Sequence, residues 1–265
     1  MSIKYSETDI YNRNGILLLS KGQELTENVR MKLKKLNVIE ESDTVVPIDE
    51  VFECTSDIKN KFHLVEPTVL KDASDILSGI LFDSKKSTWW IFVDSLSNYV
   101  DWLYTHSIDV ALISLIIAIK LNYKKEALES LCLGALLHDI GKLLIPKNII
   151  QKPGKLTNQE MVFLRQHCEL GYSMIKELNL PKECTDIILQ HHECLDGSGY
   201  PYGLSDNKIA NVTQIAMIAD VLDAITSYRP YKSVKPLNVA VKELKSDESK
   251  YAKHIIQILE DYLIT

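Results

Sequence analysis

From about Val69 onward, apolar residues recur three or four positions apart: Ile76, Ile80 and Leu81, then Trp90, Val93, Leu96 and Val100. That spacing puts them on one stripe of a helix, and no strand-like alternation interrupts it. It predicts helices over roughly 107–120, 124–139, 158–177, 181–192, 208–226 and 250–263. The Gly- and Pro-bearing stretches Pro146–Pro153 and Asp196–Gly203 separate some of them. Residues 1 to about 65 differ in texture. There Gly15–Gly22, a short apolar run bracketed by turn glycines, predicts a strand, and Leu25, Val29, Leu33 and Leu36 predict a helix over Glu24–Leu36. The pattern gives a mainly α protein behind a small α+β N-terminal module.

Composition adds limits. A hydrophobic share of 46% supplies a substantial core. A net charge of −6 argues against a binder of polymeric nucleic acid, which needs clustered Lys and Arg to displace counterions. The five cysteines, Cys54, Cys132, Cys168, Cys184 and Cys194, are scattered without a CxxC pair, which fits a reducing compartment. The longest apolar run, Val110–Ile119, ends at Lys120, well short of the roughly 20 residues that span a bilayer. Met1–Ile10 carries Lys4, Glu7 and Asp9, unlike a signal peptide. A cytoplasmic location with no membrane partner is expected.

The chemistry lies in the histidines. Five of the seven, His106, His138, His167, His191 and His192, fall within 87 positions, several beside apolar helical stripes. His63 and His254 lie apart and are read as structural or solvated. His138 closes the apolar run Leu133–Leu137, and Asp139 follows it directly. Polar groups at such core-facing helix ends need partners, since an unpaired buried polar group costs about 1–3 kcal/mol. A divalent metal would supply them, with His138 offering a nitrogen and Asp139 a carboxylate able to bridge two ions. Asp220 sits in the apolar stretch Ala216–Asp223, where a solitary carboxylate is expensive without a cation. Asp223, three residues on, shares its face. The glycines of Asp196-Gly-Ser-Gly-Tyr-Pro201, close behind His192, suit a shaped loop at the rim of such a site.

His138-Asp-Ile-Gly-Lys142, His191-His-Glu193 and Asp196-Gly-Ser-Gly-Tyr-Pro201 together resemble the signature of the HD-GYP family. The resemblance extends, in the family's order, to His106-Ser107, Ile145-Pro146, Lys152-Pro-Gly-Lys-Leu-Thr157, His167, Ala219-Asp220, Asp223-Ala-Ile-Thr-Ser227 and Arg229-Pro-Tyr231. It implies an all-helical HD-superfamily domain over 95–265, behind a helical connector at 66–94 and the module at 1–65. It also implies a metal-dependent phosphodiesterase that cleaves cyclic di-GMP to pGpG, and in some members to GMP. By this likeness His106, His138, Asp139 and Asp220 hold one ion, and Asp139, His167, His191 and His192 the other. Two divalent ions are expected, with iron first and manganese as the alternative. Asp139 and Lys142 would serve catalysis, while Lys142, Tyr200, Asp223, Arg229 and Lys232 would contact substrate. A homodimer is compatible with this reading.

Three departures from the family stand out. Trp102 occupies the place where some members carry a glutamate that helps hold a third metal, although Asp101 is next to it, so a dinuclear site is expected. Cys168 replaces a usual proline and Cys194-Leu195 a usual Arg-Trp, without removing a ligand. Two rival readings are a cyclic di-GMP receptor with weak catalysis and a phosphodiesterase for another cyclic dinucleotide such as cyclic GMP-AMP.

Overall fold

Antiparallel pairing comes first along the chain: β1 (Ile10–Asn12) lies between β2 (Leu17–Leu19) and β3 (Val38–Glu40). Ile10 faces Leu19 on one side and Glu40 on the other, with a register irregularity between Ile10 and Tyr11. Of the strand expected over Gly15–Gly22 only Leu17–Leu19 are described, as β2, and the helix expected over Glu24–Leu36 lies outside the described residues. The computed structural model describes residues 10–12, 17–19, 38–40, 58–62, 64–83, 87–227 and 234–264. They belong to two units, Met1–Ile48 and Asp49–Thr265.

The larger unit is helical, as the periodicity predicts. Its elements begin with α1 (Pro67–Asp83), α2 (Trp90–Tyr99), α3 (Asp101–Lys120) and α4 (Lys125–Leu137). Then come a 3-10 turn (Ile140–Leu144), α5 (Lys147–Ile150), α6 (Asn158–Arg165), α7 (His167–Ile175) and α8 (Lys182–Gln190). The last are α9 (Asn211–Thr226), α10 (Leu237–Ser246) and α11 (Lys253–Leu259), which runs into a π turn at Glu260–Ile264. Helix α3 is apolar on nearly every side because it is the central rod, packed against α1, α2, α4 and α9. By length and composition alone Trp102–Lys120 could cross a membrane, yet 83% of that window is buried inside the fold. Its polar residues His106, Ser107, Asp109 and Ser114 are buried with it.

Two local departures from the predicted helices place functional groups. Helix α4 stops at Leu137, and the chain tightens into the 3-10 turn, where Lys142 N donates to Asp139 O at 2.9 Å. Here both side chains face one centre, with His138 Nε2 3.3 Å from Asp139 Oδ2. The helix expected over 158–177 divides at Gln166, whose N–H donates back only three residues, to Phe163 O at 3.1 Å. That tightened turn starts α7 at His167. Helix α6 begins on a capping box in which Thr157 and Glu160 satisfy each other's backbone N–H groups. Helix α10, which the periodicity analysis does not anticipate, carries its buried Ala240, Val241 and Leu244 behind Pro236.

The 3-10 turn and α7 meet at Gly141. A Cβ there would lie 1.9 Å from the His167 carbonyl oxygen and 2.6 Å from Gly171 N, so any other residue pushes the two segments apart. Overpacking of this kind costs about 1–3 kcal/mol and more against backbone. Gly141→Ala is therefore expected to lose about 3 kcal/mol or more of stability, read from the urea midpoint; an unchanged midpoint would contradict the packing.

Candidate metal centre

Five separate stretches of chain deliver one ligand set. His106 comes from the first turns of α3, His138 and Asp139 from the end of α4, His167 from the start of α7, His191 and His192 from the end of α8, and Asp220 from the middle of α9. His106, His138 and Asp220 bring one ligand atom each to within 4.8 Å of one another. So do His167, His191 and His192, and so do His138, Asp139 and His191. All seven residues expected as ligands are thus in one place, and six are buried. His192, with 28% of its side chain exposed, forms the edge open to solvent.

Asp139 is fully buried at the centre. Its Oδ2 faces His138 Nε2 at 3.3 Å and His106 Nε2 at 3.5 Å. Its Oδ1 faces His167 Nε2 at 3.4 Å and His191 Nε2 at 3.8 Å. The two oxygens of one carboxylate therefore look toward two different groups of imidazoles. Asp220 Oδ1 lies 3.1 Å from His106 Nε2 and its Oδ2 lies 4.0 Å from His192 Nδ1.

The tautomers follow from what sits behind each ring. His138 Nδ1 lies 2.6 Å from Ala135 O, His167 Nδ1 2.6 Å from Leu164 O, and His191 Nδ1 3.1 Å from Ile187 O. A carbonyl oxygen only accepts, so each Nδ1 carries a proton. Burial keeps His167 and His191 neutral, so their Nε2 atoms present lone pairs. His106 donates its Nδ1 proton to Asp223 Oδ2 at 2.6 Å and turns its Nε2 toward Asp220 Oδ1 at 3.1 Å. Lone pairs then face lone pairs: His167 Nε2 and His191 Nε2 are 3.2 Å apart, both turned to Asp139 Oδ1. Neither His138 Nε2 nor Asp139 Oδ1 has a hydrogen-bond partner among the described residues. Protonation does not relieve the crowding, because burial drives His167 down to about 3 and holds His191 well below its usual range. Burial alone would raise Asp139 and Asp220, but Lys142 and the imidazoles keep Asp139 well below the carboxylate range, and His106 does the same for Asp220. Two buried, ionised carboxylates beside imidazoles whose Nδ1 protons point away from them suit a site for metal cations, with the proton-bearing nitrogens oriented as metal-ligating histidines require.

Around this core the other expected residues take distinct places. Lys142 Nζ donates to Asp139 Oδ2 at 2.5 Å, so its ammonium lies inside the cluster. Tyr200 stacks on His192, with ring centroids 4.8 Å apart at 28°. Asp223 lies behind His106, its carboxylate engaged by the imidazole and by Ser227. Arg229 and Lys232 fall outside the described residues, as does His63, while His254 is exposed. The Trp102 ring sits 6.3 Å from the His106 ring.

Three residues enter the site that the motifs alone did not assign to it. Glu193 is buried, and its carboxylate accepts from Tyr202 N at 2.7 Å and Leu204 N at 2.9 Å, fastening the Asp196–Gly203 loop beside the histidines. Gly199 permits that closeness, since a Cβ there would lie 2.3 Å from Glu193 Cα. The Arg165 guanidinium rides 4.9 Å from the Tyr200 ring centroid. Asp109, one turn after His106, is buried and pushed up to about 7 by burial and by Asp223. The reasoning applied to Asp220, a carboxylate on an apolar helix, applies equally to Asp109. Arg165 leaves no comparable signal.

Helices that converge on a buried set of imidazoles and carboxylates define a helical protein with a site that could hold metal. The HD domain family matches residues 91–255, and the chain belongs to it. Similarity to named proteins bears out the HD-GYP resemblance. A cyclic di-GMP phosphodiesterase of Thermotoga maritima is 37% identical over 204 residues, covering 76% of this chain and 54% of that protein. The 3'3'-cGAMP-specific phosphodiesterase 1 of Vibrio cholerae is 35% identical over 159 residues, covering 58% of this chain and 37% of that protein. The chain thus spans about half or less of these relatives' length. The solved structure of Bd1817, a HDG"Y"P protein from Bdellovibrio bacteriovorus, matches with a TM-score of 0.59 over 99% of this chain and 96% of that one, at 20% identity, a likeness of fold.

The depressed imidazoles set a pH dependence for chelator-treated protein. Below the unperturbed value of 6.5, the unfolded chain binds protons that buried His167 and His191 refuse. Stability is therefore highest above that value and falls as pH drops from it toward about 3, at up to roughly 1.4 kcal/mol per imidazole per pH unit. The carboxylates, held low, add their own loss only at more acid pH. Urea midpoints should fall clearly between pH 7.5 and pH 5; midpoints independent of pH over that interval would contradict the assignment.

Proposed function

We propose that this chain is a cytoplasmic, metal-dependent phosphodiesterase that hydrolyses cyclic di-GMP to pGpG, with GMP as a further product, in bacterial second-messenger signalling. The observation that carries this reading is the Asp139 carboxylate, whose two oxygens face separate sets of imidazole nitrogens. Such an arrangement suits a bridge between two ions, one with His106, His138 and Asp220, the other with His167, His191 and His192. Trp102 offers no carboxylate for a third. Mixed imidazole and carboxylate donors suit iron or manganese and admit zinc or nickel, and the family resemblance puts iron first and manganese next. Two close divalent ions, when bound, acidify a water for attack on phosphorus and offset charge on the phosphoryl oxygens.

The chain's own residues supply the rest. Lys142, held at Asp139 by a 2.5 Å hydrogen bond, would meet the scissile phosphate without leaving the cluster. Tyr200, against His192 at the open edge, offers an aromatic face to a base. Arg229 and Lys232 would take the acceptor edge of guanine. Asp223, already bonded to His106, would share in substrate binding through the same end of α9. Glu193 fixes the loop that carries Tyr200. The names of the relatives, which concern cyclic di-GMP and 3'3'-cGAMP, support a cyclic dinucleotide as substrate. In this reading residues 95–265 are the catalytic domain, 66–94 a helical connector and 1–65 a small α+β leading module. The ligand is one small dinucleotide, in keeping with the net charge of −6, and a homodimer is compatible with it.

A second reading, cyclic GMP-AMP as substrate, is favoured by the Vibrio cholerae relative and by the tolerance of aromatic stacking for base identity. A turnover assay of manganese- or iron-loaded protein on both dinucleotides separates the two. Asp139→Ala is expected to abolish turnover and lower bound metal, while Arg229→Ala raises KM with metal content intact. Full activity and unchanged metal in Asp139→Ala would reject the assignment.

A further inference from the structure

On the Nδ1 side of His106 lies a second cluster of charge. Asp223 receives the His106 Nδ1 proton at 2.6 Å and a hydrogen bond from Ser227 Oγ on its other oxygen. Asp109, one turn beyond His106 on α3, is buried, and its Oδ1 has no hydrogen-bond partner among the described residues. Two ionised acids out of water repel unless a cation stands between them or one takes up a proton. Lys61 stands there: its Nζ lies 3.6 Å from Asp109 Oδ2 and 3.7 Å from Asp223 Oδ1, and donates to Ser227 Oγ at 2.7 Å.

Among the described residues no other lysine or arginine reaches either carboxylate. The lysine is also held in place. Ile58 and Phe62 on its own turn are buried, and Phe62 N donates to Ile58 O at 2.8 Å. An ion pair on an open surface contributes little, because water screens it and two long side chains must be immobilised. This one differs, since the acids are only 7% and 1% exposed and the cation contacts both of them and a hydroxyl.

We propose that Lys61 is a positioning residue for the metal centre: by offsetting the Asp109–Asp223 pair it fixes the Asp223 carboxylate that receives the His106 Nδ1 proton, and so aims His106 Nε2 at Asp139 and Asp220. The proposal rests on the metal reading given above and extends it to a residue that touches neither ligand nor substrate. Without the lysine, the Asp223 carboxylate either turns away from Asp109 or accepts a hydrogen bond from a protonated Asp109 that competes with His106. His106 then loses the partner that sets its tautomer and ring angle. Groups behind metal-ligating histidines act in this way, and their loss typically weakens metal affinity by about 10- to 100-fold.

The test is calorimetric titration of chelator-treated protein with Mn2+ alone, with far-UV circular dichroism confirming the fold of each variant. Lys61→Met is expected to weaken Mn2+ binding by roughly 10- to 100-fold, and Lys61→Arg to keep most of it. Lys61→Met combined with Asp109→Asn is expected to recover affinity, because removing one acid removes the charge the lysine offsets. A lysine that only braced the fold would not give that recovery. Wild-type affinity in Lys61→Met, or no recovery in the double variant, overturns the proposal while wild-type binding leaves the metal reading standing. Wild-type protein that binds no Mn2+ overturns the metal reading, and this proposal with it. If Lys61→Met melts below the assay temperature, Lys61→Gln, which keeps a donor for Ser227, is judged by the same outcomes.

Discussion

A fully buried carboxylate, faced on both oxygens by imidazole nitrogens, is the constraint on which the larger unit depends. Asp139 lies 3.3 to 3.8 Å from four Nε2 atoms. The backbone enforces this polarity, since the carbonyls of Ala135, Leu164 and Ile187 take the Nδ1 protons of His138, His167 and His191. Helix ends are where such carbonyls are free to be used in this way. The cluster is therefore built at the ends of α4 and α8 and at the tight turn before α7. The central helices α3 and α9 contribute His106 and Asp220 from within. Gly141 lets the segments close to contact.

Charge is distributed in shells around that constraint. At the centre, Asp139 is partly offset by Lys142, and Asp220 is met by His106. Behind His106, Asp109 and Asp223 are offset by Lys61. At the rim, Glu193 spends its charge on two backbone N–H groups of the Tyr200 loop, and Arg165 covers the Tyr200 ring. The central cluster thus keeps carboxylate charge and imidazole nitrogens that suit a metal cation. Binding, positioning and the proposed chemistry share this one electrostatic origin.

Much of this was legible in the chain before folding is considered. Helical spacing located most of the helices, because an amphipathic stripe is a local property. Asp220 and Asp223, three residues apart on one face, do meet on the two nitrogens of His106. The clustering of five histidines with an adjacent acid pointed to a shared centre. What the pattern could not show is set by backbone detail or by distance along the chain. The change from α4 to a 3-10 turn and the division at Gln166 depend on tight turns that leave the apolar period unchanged. Lys61 contacts Ser227 from 166 positions away, a pairing that no local signal encodes. Glu193 stood within a motif, yet its task of fastening the next loop required the loop's path.

Anomalous diffraction from crystals of this protein soaked in Mn2+ addresses the central claim most directly. Two peaks are expected on either side of the Asp139 carboxylate, one bounded by His106, His138 and Asp220, the other by His167, His191 and His192. Manganese found only elsewhere, or none at saturating concentration with these side chains in place, would contradict it.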